Sequence, residues 1–140
     1  MTGAGPYVPN ELLARLVGNR MYSVEFVLND YLQLRFDGEP GVAGPVLLNC
    51  YVWPTVSVDG NVWRESDLGY ADVLRRLVPG TVVATREEAG SGIRIVLDTG
   101  SVDIHPKLDE VYVEVAELRG FADGAWMVWR PCEESFEDLA

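Results

Sequence analysis

Hydrophobic positions recur along most of this chain with the spacing of antiparallel strands. Between Tyr31 and Asp37, leucine and phenylalanine alternate with glutamine and arginine, and the same period returns at 101–105 and 111–115. A period of two with one polar face is typical of a half-buried antiparallel strand. With turn residues as boundaries, the pattern predicts strands at 20–28, 31–37, 46–53, 56–58, 62–64, 81–88, 93–98, 101–105, 111–118 and 125–130.

Two short stretches carry helical spacing instead. The first, 10–17, starts at Asn10, a residue type that caps helices well, and stops before a glycine. The second, 68–78, follows the capping pair Ser66-Asp67 and ends at Pro79-Gly80. We therefore expect an α+β fold, in which a mainly antiparallel, curved sheet forms a roll or a partly open barrel with two short helices.

The sequence also contains a possible internal repeat. Leu16-Val17-Gly18 precedes one predicted hairpin and Leu77-Val78-Pro79-Gly80 precedes another, and the hairpins end at Asp37 and Asp98. Each unit has an apolar strip that one hairpin cannot cover alone, so two units would share a core. Because 140 residues suit one domain, we expect a single domain over 1–140. Its repeat units would span 10–65 and 66–131, followed by an acidic C-terminal segment, 132–140.

Acidic side chains outnumber basic ones two to one, with 22 Asp and Glu against 11 Lys and Arg and a net charge of −11. This charge repels phosphate backbones and anionic membrane surfaces, so we expect neither nucleic acid nor a membrane as partner. It attracts basic proteins. The sequence shows no apolar run near the ~20 residues of a membrane span and no secretory signal. We expect a cytoplasmic protein with Cys50 and Cys132 reduced.

Candidate catalytic residues are few. His105 is the single histidine, and it shares a predicted strand face with Asp103. One imidazole with carboxylates makes a poor metal site, and Pro106 ends the strand there. We therefore interpret His105 as a surface residue and expect no metal or other cofactor. The sequence has no phosphate-binding glycine loop and no nucleophile elbow, so we expect no enzymatic activity.

The C-terminal part of the chain combines tryptophans with acidic residues. Trp126 and Trp129 lie three residues apart on the last predicted strand, so they face opposite sides and one of them should be exposed. We take Trp129 as the candidate anchor for a protein partner. The candidate surface for a basic partner consists of the acidic residues that follow: Glu133, Glu134, Glu137 and Asp138.

Two features together resemble a group of small bacterial proteins. They are Leu16-Val17-Gly18 before a hairpin and the stretch 117–131 with its two tryptophans. Some of these bacterial proteins are similar to immunity proteins, which neutralise a toxin encoded beside them. The resemblance covers 16–37 and 68–139 and depends on turns and core aromatics. It implies a non-enzymatic module that occludes a basic toxin, and it supplies no catalytic residues.

Two other functions remain open from the sequence. A cavity inside the curved sheet, near Asp103, His105 and Glu114, would make this a small-molecule-binding or enzymatic domain. An exposed strand edge would instead favour a homo-oligomeric structural protein, such as a homodimer. A pocket with convergent polar groups would favour the enzyme, and an acidic surface bearing a tryptophan would favour the protein-binding module.

Overall fold

The fold is dominated by one antiparallel sheet. The structure is a computed structural model that describes residues 7–27, 30–38, 44–107, 109, 111 and 114–136. Within these residues the strands are β1 (Arg20–Val27), β2 (Tyr31–Phe36), β3 (Val46–Cys50), β4 (Thr55–Val58), β5 (Asn61–Trp63), β6 (Gly80–Glu88), β7 (Gly92–Leu97), β8 (Gly100–Ile104), β9 (Ala116–Arg119) and β10 (Met127–Trp129). The helical elements are α1 (Tyr70–Leu77) and two 3-10 helices, η1 (Leu13–Leu16) and η2 (Glu134–Phe136).

The strand pairings follow the predicted hydrophobic alternation. In the described part of the chain every strand pair is antiparallel, and the spatial order is β10-β9-β3-β2-β1-β6-β7-β8-β4-β5. In β2, Leu32, Leu34 and Phe36 are fully buried, whereas Arg35 faces the other side and is partly exposed. The predicted α+β class with a mainly antiparallel sheet is confirmed, and the sheet is not closed into a barrel.

The helical content corrects the prediction of two short helices. The second predicted segment forms α1, but the first, 10–17, forms only the 3-10 helix η1. Asn10 has a φ of 70°, in the left-handed region, so it does not adopt the extended backbone of a helix cap. Leu13 and Leu16 are both fully buried, and a spacing of three places them on one face of a 3-10 helix. So short an apolar segment lacks the length to propagate an α-helix.

The strand predicted at 111–118 is shorter than expected and starts later, as β9. Just before it, the Val115 N–H donates to the Trp129 carbonyl at 2.8 Å. The Val115 carbonyl accepts the N–H groups of both Tyr51 and Val52, at 3.0 and 3.2 Å. One carbonyl that serves two successive residues interrupts the regular ladder, so β9 begins at Ala116. Residues 112 and 113 lie outside the described residues.

The sheet divides into two halves of five strands that meet where β1 pairs with β6. The β1 half contains β1, β2, β3, β9 and β10, and the β6 half contains β6, β7, β8, β4 and β5. The cross-strand residue pairs of β1 and β2 have equivalents 61 positions later in β6 and β7. Met21 lies opposite Phe36, for example, and Val82 lies opposite Leu97. The last hairpin of each predicted repeat unit joins the other half, since β4 pairs with β8 and β9 pairs with β3. Duplication of an ancestral unit stays a prediction.

The helical segments and the bending of the sheet enclose a common core. Helix η1 packs on β6, and α1 packs on β1 and β4. In the sheet order β10 lies five strands from β6, which would be roughly 24 Å on a flat sheet. The Trp129 indole nitrogen nevertheless lies 2.8 Å from the Glu87 carboxylate. The sheet therefore bends back so that its β10 end lies over β6.

Candidate functional site

Trp129 is fully buried, and this corrects its expected role as an exposed anchor. Its indole N–H donates a 2.8 Å hydrogen bond to the buried carboxylate of Glu87. Trp126, three residues earlier, is the exposed member of the pair, with 44% of its surface accessible. Alternation along the strand predicted at 125–130 indicated that the two tryptophans would face opposite sides. Which one points inward depends on an internal acceptor for the indole N–H, which the sequence does not reveal.

Glu87 on β6 is 5% exposed and accepts hydrogen bonds from four groups. The Asn10 N–H reaches one carboxylate oxygen at 2.8 Å. The other oxygen accepts from the Trp129 indole at 2.8 Å, the Ser135 hydroxyl at 2.6 Å and the Tyr7 hydroxyl. A buried carboxylate requires such donors because it has lost its water. We call Glu87 and these four partners the Glu87 cluster.

The Glu87 cluster joins parts of the chain that are distant in sequence. Tyr7 and Asn10 belong to the N-terminal segment, residues 7–16, and Ser135 belongs to the C-terminal turn, residues 132–136. Both segments are therefore attached to β6 through one side chain. The geometry assigns the cluster a structural role, because the hydrogen-bonding capacity of the carboxylate is used by the protein itself.

Sequence reasoning missed Glu87, although a signal was present. Glu87 lies opposite Ile93, a buried residue of β7, so it occupies the core-facing side of β6. Its neighbour Glu88 faces the other side and is exposed. An acid at an inward-facing strand position indicates buried donors nearby, but the sequence does not show that these come from both ends of the chain.

The predicted acidic partner surface is described only in part. Glu133 and Glu134 are exposed, whereas Glu137 and Asp138 lie outside the described residues. The two exposed glutamates precede Ser135, which is buried and bonded to the Glu87 cluster. The C-terminal turn thus holds Glu133 and Glu134 at the surface on an anchored backbone.

Most arginines are neutralised within the molecule. Nine of the ten arginines form an ion pair among the described residues, each with a different carboxylate. The pairs are Arg15–Asp123, Arg20–Asp37, Arg35–Glu25, Arg75–Asp72, Arg76–Asp59, Arg86–Glu88, Arg94–Asp103, Arg119–Glu117 and Arg130–Glu114. These nine pairs leave 13 of the 22 acidic residues outside them. The surplus negative charge therefore belongs to residues such as Glu133 and Glu134.

A row of polar side chains crosses four strands of the β1 half. Glu25, Gln33, Asn49 and Glu117 are successive cross-strand neighbours on β1, β2, β3 and β9. The Gln33 amide donates to Asn49 at 2.8 Å, and the Asn49 amide donates to Glu117 at 3.3 Å. The Tyr51 hydroxyl also donates to Glu117. Burial of Tyr51, together with the nearby Glu117 carboxylate, raises the pKa of Tyr51. The row is thus an ordered network whose polar groups bond to one another.

A groove of about 450 Å³ with both polar and apolar lining residues lies between β1 and α1. Tyr22 and Phe26 on β1 are each 38% exposed there. The Phe26 ring lies 5.7 Å from the ring of Trp53, measured between centroids. The residues that line the groove are Tyr22, Ser23, Val24, Phe26, Leu74, Arg75 and Val78. The sequence did not indicate this groove, because it depends on how closely α1 approaches β1.

The residues considered for an enzymatic site have separate partners. Asp103 pairs with Arg94 at 3.4 Å and Glu114 pairs with Arg130 at 3.2 Å, whereas His105 is exposed beyond β8. Burial raises the pKa of Asp103, and the nearby Arg94 charge partly opposes this effect. Across the described ranges, no three His, Cys, Asp or Glu side chains are grouped so that they could hold a metal ion.

The two cysteines lie in different environments. Cys50 is buried in β3 and Cys132 is exposed. Burial raises the pKa of the Cys50 thiol, so it stays protonated and unreactive at neutral pH. Burial likewise raises the pKa of Tyr70, whose hydroxyl donates to the Pro54 carbonyl at 2.6 Å. Neither group has the lowered pKa that an activated nucleophile requires.

Comparisons with known proteins add no relative. No protein-family model, no curated protein and no solved structure matches this chain. Among the residues that the structure describes, no helix has both the length and the apolar character to span a membrane. The resemblance to immunity proteins therefore stays an expectation from the sequence.

Proposed function

We propose that this chain is a non-enzymatic protein-binding module that docks on a basic partner, with occlusion of a toxin by an immunity-type protein as its most specific form. The observation that carries the proposal is the pairing of nine arginines with internal carboxylates. The ion pairs cancel equal numbers of acidic and basic charges, so the acidic surplus, a net charge of −11, gives the surface a negative field. This field attracts a basic protein and repels nucleic acid.

The C-terminal turn supports this proposal because it holds surplus charge on ordered backbone. Glu133 and Glu134 are exposed and stand outside the nine ion pairs. The turn is fixed from below by Ser135 and Phe136, which are both buried. A group that is already ordered loses less conformational entropy on binding, so its charge contributes more to specific docking.

The turn offers charge without an aromatic anchor. Trp129 and Phe136 are both fully buried, so neither can fill a pocket on a partner. Charges at the rim of an interface mainly affect the association rate and its salt dependence. We therefore expect changes at Glu133 and Glu134 to alter association more than dissociation.

The test compares two double variants that remove the same amount of charge. Glu133→Gln with Glu134→Gln removes surplus charge from the turn. The control, Asp72→Asn with Glu88→Gln, removes two carboxylates that are already paired with arginine. The partner is captured from host extract with the intact chain, identified and purified. Its association with each variant is then measured at low and high salt.

The expected result is a several-fold slower association of the turn variant at low salt and a weaker dependence on salt. The control should associate at nearly the wild-type rate. If the turn variant also associates at the wild-type rate at low salt, docking through the turn is wrong. If the captured partner has no basic surface, the proposed function is wrong as a whole.

A further inference from the structure

Strained backbone positions of this chain are concentrated around the Glu87 cluster. Among the described residues, four that are not glycine have φ in the left-handed region: Asn10 at 70°, Asp59 at 52°, Cys132 at 71° and Glu134 at 51°. Asp59 lies in the two-residue turn of the β4–β5 hairpin, a turn type that requires positive φ. The other three belong to the N-terminal segment and the C-terminal turn, which are the two segments that Glu87 binds.

The C-terminal turn depends on contacts outside itself. A left-handed φ on a residue with a side chain costs free energy, so it persists only where the surroundings hold it. Within the turn, the Cys132 N–H donates to the Phe136 carbonyl and the Phe136 N–H donates to the Glu133 carbonyl, both at 2.9 Å. The turn is fixed to the rest of the molecule by the buried Phe136 ring and by the bond from Ser135 to Glu87.

The carboxylate of Glu87 links the turn to the N-terminal segment because both segments cover it. One of its oxygens accepts from the Tyr7 hydroxyl of the N-terminal segment and from the Ser135 hydroxyl of the turn, the latter at 2.6 Å. Glu87 is only 5% exposed. Such a bond is strong while water is excluded. If either segment leaves, water reaches the carboxylate and competes with the donor of the other segment, so each segment stabilises the other.

We propose that the N-terminal segment and the C-terminal turn open and close as one unit, so that the N-terminal segment regulates docking through Glu133 and Glu134. Tyr7 is then a positioning residue for docking. Glu134 itself has a left-handed φ, so its presented geometry exists only while the turn is held. The inference rests on the proposed protein-binding function and adds its regulation. A partner that binds only the closed turn also keeps the N-terminal segment closed, and displacement of that segment weakens docking.

The first experiment measures amide hydrogen exchange of the intact chain without a partner. Tyr7→Phe removes one bond of the N-terminal segment, and the amides of Cys132 and Phe136 report on the turn. The matched control is Tyr70→Phe, which removes another buried hydroxyl donor, the one that bonds to the Pro54 carbonyl at 2.6 Å. We expect Tyr7→Phe to accelerate exchange of both reporter amides about tenfold, and Tyr70→Phe to leave it unchanged. Thermal unfolding checks that both variants are folded.

A second variant loosens the N-terminal segment without changing any bond to Glu87. Thr85→Val removes the hydroxyl that donates to the Asn10 side chain at 2.8 Å and keeps the shape of residue 85. Ser135 keeps its bond to Glu87 in this variant, so faster exchange in the turn must come through the N-terminal segment. We expect an acceleration of about threefold. If the turn exchanges at the wild-type rate in both variants, the two segments open independently and the inference is overturned.

The second experiment adds the basic partner captured in the docking test. At a free partner concentration 100-fold above its Kd, a partner that binds only the closed form lowers the open population about 100-fold. Exchange of the Asn10 and Ala14 amides should then slow by the same factor as that of Cys132 and Phe136. Slower exchange in the turn alone overturns the inference and leaves the proposed function standing. If neither segment slows, docking through the turn is wrong and its regulation is overturned with it.

Discussion

The β6 half and the β1 half share one architecture but differ in what covers their first strand. Both contain a hairpin of the same register and a helical segment packed on its first strand. On β6, the carboxylate of Glu87 binds both the N-terminal segment and the C-terminal turn. On β1, Phe26 has the equivalent position and lines an open groove. Residues at equivalent positions of the two hairpins therefore hold the fold together in one half and stay partly exposed in the other.

The physical cause of the difference is the cost of burying a carboxylate. An ionised group in a protein interior loses several kcal/mol of hydration unless hydrogen bonds replace the water. Glu87 therefore needs all of its donors at once, and these come from three separate parts of the chain. Phe26 imposes no such requirement, since a partly exposed ring in water is tolerated. We expect the position of Glu87 on β6 to be sensitive to substitution and the equivalent position of Phe26 on β1 to be tolerant.

The largest effect should follow Glu87→Ala. The change leaves the hydroxyls of Tyr7 and Ser135 without their acceptor, and it leaves the Trp129 indole with only the Tyr7 hydroxyl, at 3.2 Å. Each buried unsatisfied group is costly. We expect the free energy of unfolding to fall by about 3–5 kcal/mol, measured by urea denaturation. The exposed neighbour Glu88 provides the control, and Glu88→Ala should change the free energy of unfolding by less than about 1 kcal/mol. Similar losses for both variants would show that the cluster does not hold the fold together.

A smaller effect should follow Trp129→Phe, which keeps an aromatic ring but removes the indole N–H. The hydrogen bond to a charged acceptor is lost and a small cavity is created, so we expect a loss of about 2–3 kcal/mol. Trp63→Phe is the control on a half-buried tryptophan at the opposite edge of the sheet, with an expected loss of about 1 kcal/mol or less. Equal losses would mean that the bond to Glu87 contributes nothing specific.

Phe26→Leu should have a modest effect on stability, although it lies at the position equivalent to Glu87. The substitution keeps an apolar side chain and removes the ring contact with Trp53. We expect a loss of about 1 kcal/mol in the free energy of unfolding. A loss as large as that of Glu87→Ala would contradict the view that strand β1 tolerates substitution at the position equivalent to Glu87.

The smallest effect should follow Leu68→Ser. Leu68 is fully exposed just before α1, and it lies 61 positions after Tyr7, which bonds to Glu87. Removing an exposed side chain should change the free energy of unfolding by no more than about 0.5 kcal/mol. Tyr7→Phe, by contrast, removes one hydroxyl donor to a buried carboxylate and should cost about 1–2 kcal/mol. If Leu68→Ser were the more damaging change, the view that Tyr7 stabilises the fold through Glu87 would be wrong.

Local patterns in the sequence predicted most of the fold. Alternation in β2 and β8 correctly indicated antiparallel strands with one buried face, since burial imposes that period wherever one side of a sheet faces the core. The first helix was wrong, because Leu13 and Leu16 suit a 3-10 helix as well as an α-helix and the segment is too short to decide between them. Local sequence patterns do not predict the strand order, because pairing of β1 with β6 depends on contacts between residues that are distant in sequence.

The candidate site was less predictable than the fold. The exposed positions of Glu133 and Glu134 agree with their charge, since isolated acids are rarely buried. Trp129 was misplaced because the sequence does not reveal the internal acceptor for its indole. Glu87 was not predicted as a structural residue, because its hydrogen-bond donors are distant from it in sequence. The groove depends on the distance between α1 and β1, which local pattern does not determine.

The most direct test of the comparison is amide hydrogen exchange on wild type and Glu87→Gln. The substitution keeps the shape of residue 87 but removes one of its two acceptor oxygens. If the Glu87 cluster fastens both ends of the chain to β6, exchange should accelerate together in the N-terminal segment and the C-terminal turn, and stay unchanged in β1 and α1. Acceleration in only one of the two ends, or an equal acceleration throughout the sheet, would contradict the account.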